Sequence, residues 1–137
     1  NNSFSEIRSL KNNQVNVRIG PSKNYPIKFI YKNKYFPVNI IDKHYNWRKI
    51  KDYENDEGWI HVSQLSRSRT TITTLDNKVV FSSPSIFSRP KAKLEIHQIL
   101  IIKECNELWC KVKNSKINGW IEKDSLWGVK KDEIIQK

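Results

Sequence analysis

Residues 45–50 read YNWRKI, residues 58–60 read GWI and residues 63–65 read SQL. A related phrase returns downstream as ELWCKV at residues 107–112, GWI at residues 119–121 and DSL at residues 124–126. The spacing within the two copies differs by one residue. This repeat predicts two copies of one small structural unit, and it therefore decides the fold more than any other feature of the chain.

Apolar and polar residues alternate wherever the sequence has a clear period. Val15 and Val17 alternate with polar residues, and Val38 and Ile40 flank Asn39. We assign further positions of the same phase to the core: Ile50, Ile60, Leu100, Ile102, Val112 and Ile121. A period of two predicts half-buried strands, and short strands separated by frequent turn signals indicate a small barrel or sandwich. We therefore predict an all-β fold of two small tandem barrels, each with about five short strands and a closing 3-10 turn.

The repeat also predicts the domain organisation. We expect a first domain at residues 1–67, a linker at 68–74, a second domain at 75–129 and a C-terminal tail at 130–137. Units of roughly 60 residues are near the lower limit at which a core sustains a fold alone. We therefore expect the two units to pack on each other or to carry a local staple.

The formal net charge of +11 favours anionic partners such as nucleic acid, an acidic polymer or a lipid surface. The chain is also rich in Lys, Asn and Ile and poor in Gly, so compositional bias is an alternative explanation of the charge. The chain begins at Asn1 and contains no Met. We expect that a leader has been removed and that the protein is periplasmic or otherwise exported.

Five elements in order resemble the bacterial SH3 domain: VNVRIGPS at residues 15–22, YP at 25–26, PV at 37–38, Trp47, and GWI at 58–60. The resemblance covers about residues 7–66, and a more divergent copy covers about residues 71–128. By this alignment the second copy has Val80 at the position of Asn16 and Ser82 at the position of Arg18. The resemblance implies SH3-like barrels in an exported tandem protein that binds a cell-wall peptide or glycan, or an extended protein segment.

The same resemblance implies a ring-lined groove in the first unit. Its candidate ligand-binding residues are Asn16, Arg18, Tyr25, Tyr45 and Trp47. The planar fork of an arginine suits a peptide carboxylate. A structural ion pair with Glu57 is the alternative role for Arg18.

Two further tryptophans lie one residue out of phase with the buried isoleucines of their strands. If Ile60 and Ile121 face the interior, Trp59 and Trp120 face outward. They pack between the two units or they contact a ligand; both interpretations stay open.

Cys105 and Cys110 are the only cysteines and flank a predicted hairpin turn. Four intervening residues place them opposite each other across the two strands, where a disulfide is within reach. We predict a disulfide, which implies an oxidising compartment, with two free thiols as the alternative.

No motif indicates a metal site, a cofactor or catalysis. The three histidines lie in different segments, and the acids between Asp52 and Glu57 lack the pattern of a calcium loop, so we interpret them as a hairpin tip. The chain has neither a serine nucleophile elbow nor a phosphate-binding glycine loop. We therefore predict a non-enzymatic binding module without a cofactor. The alternatives are a small barrel that binds nucleic acid or another polyanion, and an assembly subunit that docks a partner through residues 130–135.

Overall fold

The computed structural model describes residues 6–136, and within that range it contains strands and 3-10 turns but no α-helix. The chain divides into two compact units, with the division between Ser68 and Arg69. The predicted all-β class is confirmed.

The first unit is one antiparallel sheet. Its strands are β1 (Ile7–Leu10), β2 (Val15–Arg18), β3 (Ile27–Tyr31), β4 (Pro37–His44), β5 (Trp47–Lys51), β6 (Glu57–His61) and β7 (Leu65–Ser66). They are hydrogen-bonded in the order β3-β2-β6-β5-β4-β1-β7. The predicted 3-10 turn lies at Val62–Gln64, directly after β6.

The second unit repeats this arrangement. Its strands are β8 (Thr70–Ile72), β9 (Lys78–Phe81), β10 (Pro90–Leu94), β11 (Ile99–Cys105), β12 (Trp109–Lys113) and β13 (Asn118–Glu122). Their order is β10-β9-β13-β12-β11-β8, and a 3-10 turn follows at Lys123–Ser125. The described strands therefore number seven and six, against the expected five in each unit. Each unit has a short strand ahead of the repeat, β1 or β8, and the first unit also has β7 after its 3-10 turn.

Residues 68–74 were expected to form a linker, but strand β8 lies inside this segment and pairs with β11. The sequence TTIT gave no apolar period, yet Thr70, Thr71 and Thr73 are fully buried. Their burial is tolerated because hydroxyls can donate to backbone carbonyls. Thr71 Oγ1 donates to the carbonyl of Trp127 at 2.7 Å, and Thr73 Oγ1 donates to that of Glu95 at 3.0 Å.

The core lies where the alternation placed it. All the apolar positions assigned to it from the sequence are at most 6% exposed: Val15, Val17, Val38, Ile40, Ile50, Ile60, Leu100, Ile102, Val112 and Ile121. Burying such side chains is the main favourable term in a unit of this size.

The C-terminal segment, expected to be a tail outside the repeat, packs on the second unit. Ile135 exchanges two backbone hydrogen bonds with Cys105, at 2.8 and 3.1 Å. Arg69 binds both carboxylate oxygens of Glu133, at 2.7 and 3.1 Å. Burial alone would raise the pKa of Glu133, but the hydrogen bond from Arg69 and the backbone N–H of Lys130 outweigh it and lower that pKa.

The two cysteines form the predicted disulfide. Cys105 and Cys110 are directly paired across β11 and β12, and their Cα atoms lie 4.0 Å apart. Both residues are buried. The bond therefore links strands β11 and β12 beside their turn, within the core of the second unit. This is the unit in which the sequence repeat is more divergent.

The acidic hairpin tip between β5 and β6 is organised by one buried carboxylate. Asp52 Oδ1 accepts from the backbone N–H groups of Glu54 and Asp56, at 2.9 and 3.0 Å. The hydroxyl of Tyr31 donates to Asp52 Oδ2 at 2.8 Å. Burial, and then the charge of Asp52, raise the pKa of the Tyr31 phenol. The loop is thus a closed structural turn tied to strand β3.

We expect Tyr31→Phe to lower the free energy of unfolding by about 1–3 kcal/mol, because Asp52 Oδ2 loses its donor while remaining buried. The loss is also pH-dependent. The folded phenol keeps its proton above the ordinary tyrosine pKa of about 10, whereas the unfolded chain releases it. The stabilisation is therefore complete below about pH 10 and is lost as the pH rises above it, so the wild type and the variant converge.

Urea unfolding at about pH 8 and about pH 11 measures both effects. Tyr45→Phe is the control, because the ring of Tyr45 is 87% exposed and its hydroxyl anchors nothing in the core. Equal effects of the two substitutions would contradict the role given to Tyr31.

Candidate functional site

A cavity of about 220 Å³ opens on the outer face of the first unit. We call it the Trp47 groove; its lining residues are Gln14, Asn16, Arg18, Lys23, Trp47, His61 and Gln64. Three of the residues predicted from the sequence, Asn16, Arg18 and Trp47, therefore come together here. Strands β2, β5 and β6 and the 3-10 turn after β6 supply most of the lining.

Strand alternation explains why these side chains share one surface. Val15 and Val17 of β2 are buried, so Asn16 and Arg18 point to the opposite face. Trp47 of β5 stands directly opposite His61 of β6, and the two rings meet edge to face with centroids 5.3 Å apart. Such pairs hold the rings in a fixed orientation.

Arg18 is the distinctive charge of the groove. Its Nη1 donates to the carbonyl of Tyr25 at 2.9 Å, and among residues 6–136 it makes no ion pair. The alternative partner, Glu57, instead pairs with Lys49 at 3.5 Å and Lys51 at 3.8 Å. The remaining N–H groups of the Arg18 guanidinium can therefore bind an external anion.

Tyr25 and Tyr45 lie beside the groove and not in it. Tyr25 lines a second cavity of about 450 Å³ that also includes His44. Its ring covers Gly20, where a Cβ atom would lie only 2.5 Å from the ring carbons. Tyr45 occupies the β4–β5 turn with a positive φ of 51°, and its ring meets that of His44 edge to face at 4.8 Å. The five predicted residues thus form two neighbouring groups, joined through the Arg18–Tyr25 hydrogen bond.

Sequence reasoning missed four lining residues of the groove: Gln14, Lys23, His61 and Gln64. Nδ1 of His61 accepts from the backbone N–H of Ser63 at 3.1 Å and lies 2.8 Å from Ser63 Oγ. Because Nδ1 is an acceptor, the neutral ring carries its proton on Nε2, where it is a donor. Oε1 of Gln64 accepts from Asn12 Nδ2 at 2.9 Å. The sequence signal that could have identified His61 and Gln64 is their position in H-V-S-Q, directly after the repeated GWI.

The family model for the bacterial SH3 domain matches residues 11–67 and again residues 76–128. The chain belongs to the bacterial SH3 domain family. Each match covers one compact unit, so the two units are two copies of this domain.

Two solved structures share partial similarity with the chain. The structure of NlpC2 from Trichomonas vaginalis is 16% identical over 90% of this chain and 49% of that one, with a TM-score of 0.41. The structure of NlpC1 from the same organism is 15% identical over 93% of this chain and 48% of that one, with a TM-score of 0.40. The chain spans about half the length of either structure, and similarity at this level assigns no activity. None of the curated proteins compared with the chain matches it.

The second SH3 domain has no equivalent of Arg18, and its register differs by one residue from the sequence alignment. Phe81 pairs with Trp120 as Arg18 pairs with Trp59, so Phe81, and not Ser82, occupies the arginine position. The buried Val80 accordingly matches Val17 and not Asn16. The alignment failed because both strands are short and the divergent copy lacks the N-V-R pattern that fixes the phase.

An aromatic pair replaces the charged groove in the second domain. Phe81 meets Trp109 edge to face with centroids 5.6 Å apart, and Trp109 is 9% exposed. Beside Trp109 lies a cavity of about 480 Å³, which includes the carboxylates of Glu122 and Asp124. Lys78 pairs with both carboxylates, at 3.1 and 3.3 Å. The two domains therefore present different chemistry on equivalent strands.

Within residues 6–136, no three or more side chains of His, Cys, Asp or Glu are grouped so as to hold a metal ion. The same part of the chain has no helix long and apolar enough to cross a membrane. Trp59 and Trp120 are each partly buried, and their roles between units or toward a ligand stay predictions.

We expect the neutral ring of His61 to be in the Nε2–H form, because its Nδ1 accepts from Ser63. Long-range ¹H–¹⁵N spectra at about pH 8 identify the tautomer. Ser63→Ala removes the hydroxyl but keeps the backbone N–H, so this variant should retain the same tautomer. A dominant Nδ1–H form in the wild type would contradict the geometry assigned to the groove.

Proposed function

We propose that the first SH3 domain binds a carboxylate-bearing, extended cell-envelope ligand in the Trp47 groove, with the stem peptide of peptidoglycan as the main candidate. A single observation carries the proposal. The Arg18 guanidinium, without an ion pair among the described residues, stands in one cavity with the Trp47 ring.

The groove offers complementary contacts for such a ligand. Arg18 supplies a planar fork of donors that matches a carboxylate and strengthens the hydrogen bonds by charge. Lys23 adds a second positive charge to the lining. The indole of Trp47 offers an apolar face to methylene groups or a sugar ring, and the rim supplies polar donors through His61 and Asn16. These contacts bind and orient a ligand, which fits a module without catalysis.

The second domain, in this proposal, stabilises the protein and is not a second equivalent site. Phe81 in place of Arg18 removes the anion-binding group, and the cavity beside Trp109 carries the carboxylates of Glu122 and Asp124 instead. Ligand binding is accordingly expected with one site per chain.

We further propose that the protein works in an oxidising compartment, the periplasm or another space outside the cytoplasm. The disulfide between Cys105 and Cys110 supports this location, because such bonds persist in exported proteins and are rare in the cytoplasm.

Titration of ¹⁵N-labelled protein with a purified peptidoglycan stem peptide tests the function. We expect shifts of the Trp47 indole and of the His61 and Arg18 signals. Arg18→Gln should weaken binding by about tenfold or more, since a charge-assisted hydrogen bond contributes about 1.5–3 kcal/mol.

Arg67→Gln is the matched control, because it removes the same charge from an exposed residue that does not line the groove. An equal loss in both variants, or shifts confined to the second domain, would contradict the proposal. A steep loss of binding to every anion with added salt would instead favour the polyanion-binding alternative.

A further inference from the structure

The loop between β9 and β10 projects two adjacent apolar side chains into solvent. Phe87 is 92% exposed and Ile86 is 58% exposed. Isolated exposed apolar residues are ordinary, whereas an adjacent pair at one loop tip is a candidate contact surface.

The loop is held in this conformation by its own serines. The backbone N–H of Ser82 donates to the carbonyl of Arg89 at 2.8 Å, which closes the base. Ser88 Oγ lies 3.0 Å from the carbonyl of Ser83 and 2.7 Å from that of Ser85. The N–H of Phe87 donates to Ser85 Oγ at 3.1 Å. Because the tip is ordered before any partner arrives, little conformational entropy is lost on binding.

The equivalent loop of the first domain has the opposite arrangement. Counted from the equivalent residues Arg18 and Phe81, the polar Lys23 and Asn24 stand at the positions of Ile86 and Phe87. The aromatic residue of that loop, Tyr25, folds back over Gly20. The outward apolar tip is thus particular to the second domain and does not follow from the SH3 scaffold.

Every charged residue in this loop and its two flanking strands is basic. Residues 78–94 contain four basic residues and no acidic residue. Lys78 is paired with Glu122 and Asp124, but Arg89 and Lys93 are exposed and make no ion pair among residues 6–136. Lys93 lies on β10, an edge strand of the sheet next to the loop.

We propose that the 82–89 loop docks the protein on an anionic lipid surface. Phe87 and Ile86 enter the interfacial region of the bilayer, while Arg89 and Lys93 remain at the level of the lipid phosphates. Apolar side chains flanked by basic residues suit such a surface, since the apolar contact and the attraction to anionic lipid add.

A lipid surface fits this tip better than a partner protein does. Two side chains offer far less than the roughly 800 Å² per partner of a standard protein interface. A bilayer requires no matching shape, so a small apolar tip with basic flanks is sufficient for reversible attachment. The inference does not rest on the Trp47 groove, because the loop belongs to the second domain.

Co-sedimentation with vesicles of about one third phosphatidylglycerol in phosphatidylcholine tests the proposal. We expect the wild type to bind these vesicles, and to bind pure phosphatidylcholine at least about tenfold more weakly. Phe87→Ser should lower binding by about tenfold, from the loss of one buried aromatic side chain. Lys93→Gln should lower it less, and added salt should weaken binding.

Leu108→Ser is the matched control, because Leu108 is also highly exposed, at 71%, in a different turn of the same domain. It should bind as the wild type does, and circular dichroism should show all variants folded. Absence of wild-type binding, or equal losses in Phe87→Ser and Leu108→Ser, would overturn the proposal and would leave the tip to a protein partner.

An environment-sensitive dye gives a second readout. Ile86→Cys can be labelled selectively without reductant, because Cys105 and Cys110 are bonded to each other. A blue shift of the dye on anionic vesicles, unaffected by Arg18→Gln, is the expected result. An unchanged spectrum on vesicles that do sediment the protein would show that another surface makes the contact, and would also overturn the proposal.

Discussion

The close approach of two strands at a glycine is the constraint on which each SH3 domain depends. In the first domain, a Cβ atom at Gly58 would lie 2.2 Å from Val17 Cγ1, and in the second a Cβ at Gly119 would lie 2.7 Å from Val80 Cγ1. Only a residue without a side chain allows the valine to fill that space. The contact brings β2 against β6, and this junction places Asn16 and Arg18 next to the strand pair that carries Trp47 and His61.

One scaffold therefore presents two different surfaces. The residue that pairs with the outward tryptophan is Arg18 in the first domain and Phe81 in the second. Arg18 keeps free N–H donors in the groove that also contains the Trp47 ring. Phe81 instead packs on the ring of Trp109, which occupies the position of Trp47 in the second domain. The paired glycine and valine hold the same backbone contact in both copies, and the residue beside it differs between a charged side chain and an aromatic one.

The sequence was sufficient to predict the parts of the fold that follow from alternating apolar and polar residues along a strand. Alternation identified the buried valines and isoleucines, and the repeat identified two units. Strand β8 was not predicted because its threonines are buried through hydrogen bonds to carbonyls, which hydropathy does not register. The one-residue shift at Phe81 has a different reason: the strand is short and lacks the N-V-R pattern, so its phase is fixed by pairing with β10 and with Trp120.

The candidate site was predictable in part. Asn16, Arg18 and Trp47 share the groove because alternation puts them on one face of adjacent strands. His61 joins them from the end of β6, where it pairs with Trp47, and Gln64 joins them from the 3-10 turn that follows. Tyr25 and Tyr45 lie outside the groove. The ring of Tyr25 covers Gly20, and Tyr45 lies in a turn where its positive φ directs the ring outward.

The fastening of the C-terminal segment has a mechanical consequence. Arg69 begins the second domain and holds Glu133 near its end, while Ile135 is hydrogen-bonded to Cys105 in strand β11. Tension applied to the end of the chain would reach the ion pair and the disulfide-closed hairpin before it reached strand β13. These contacts must therefore break before strand β13 is exposed to a force that acts on residues 133–135.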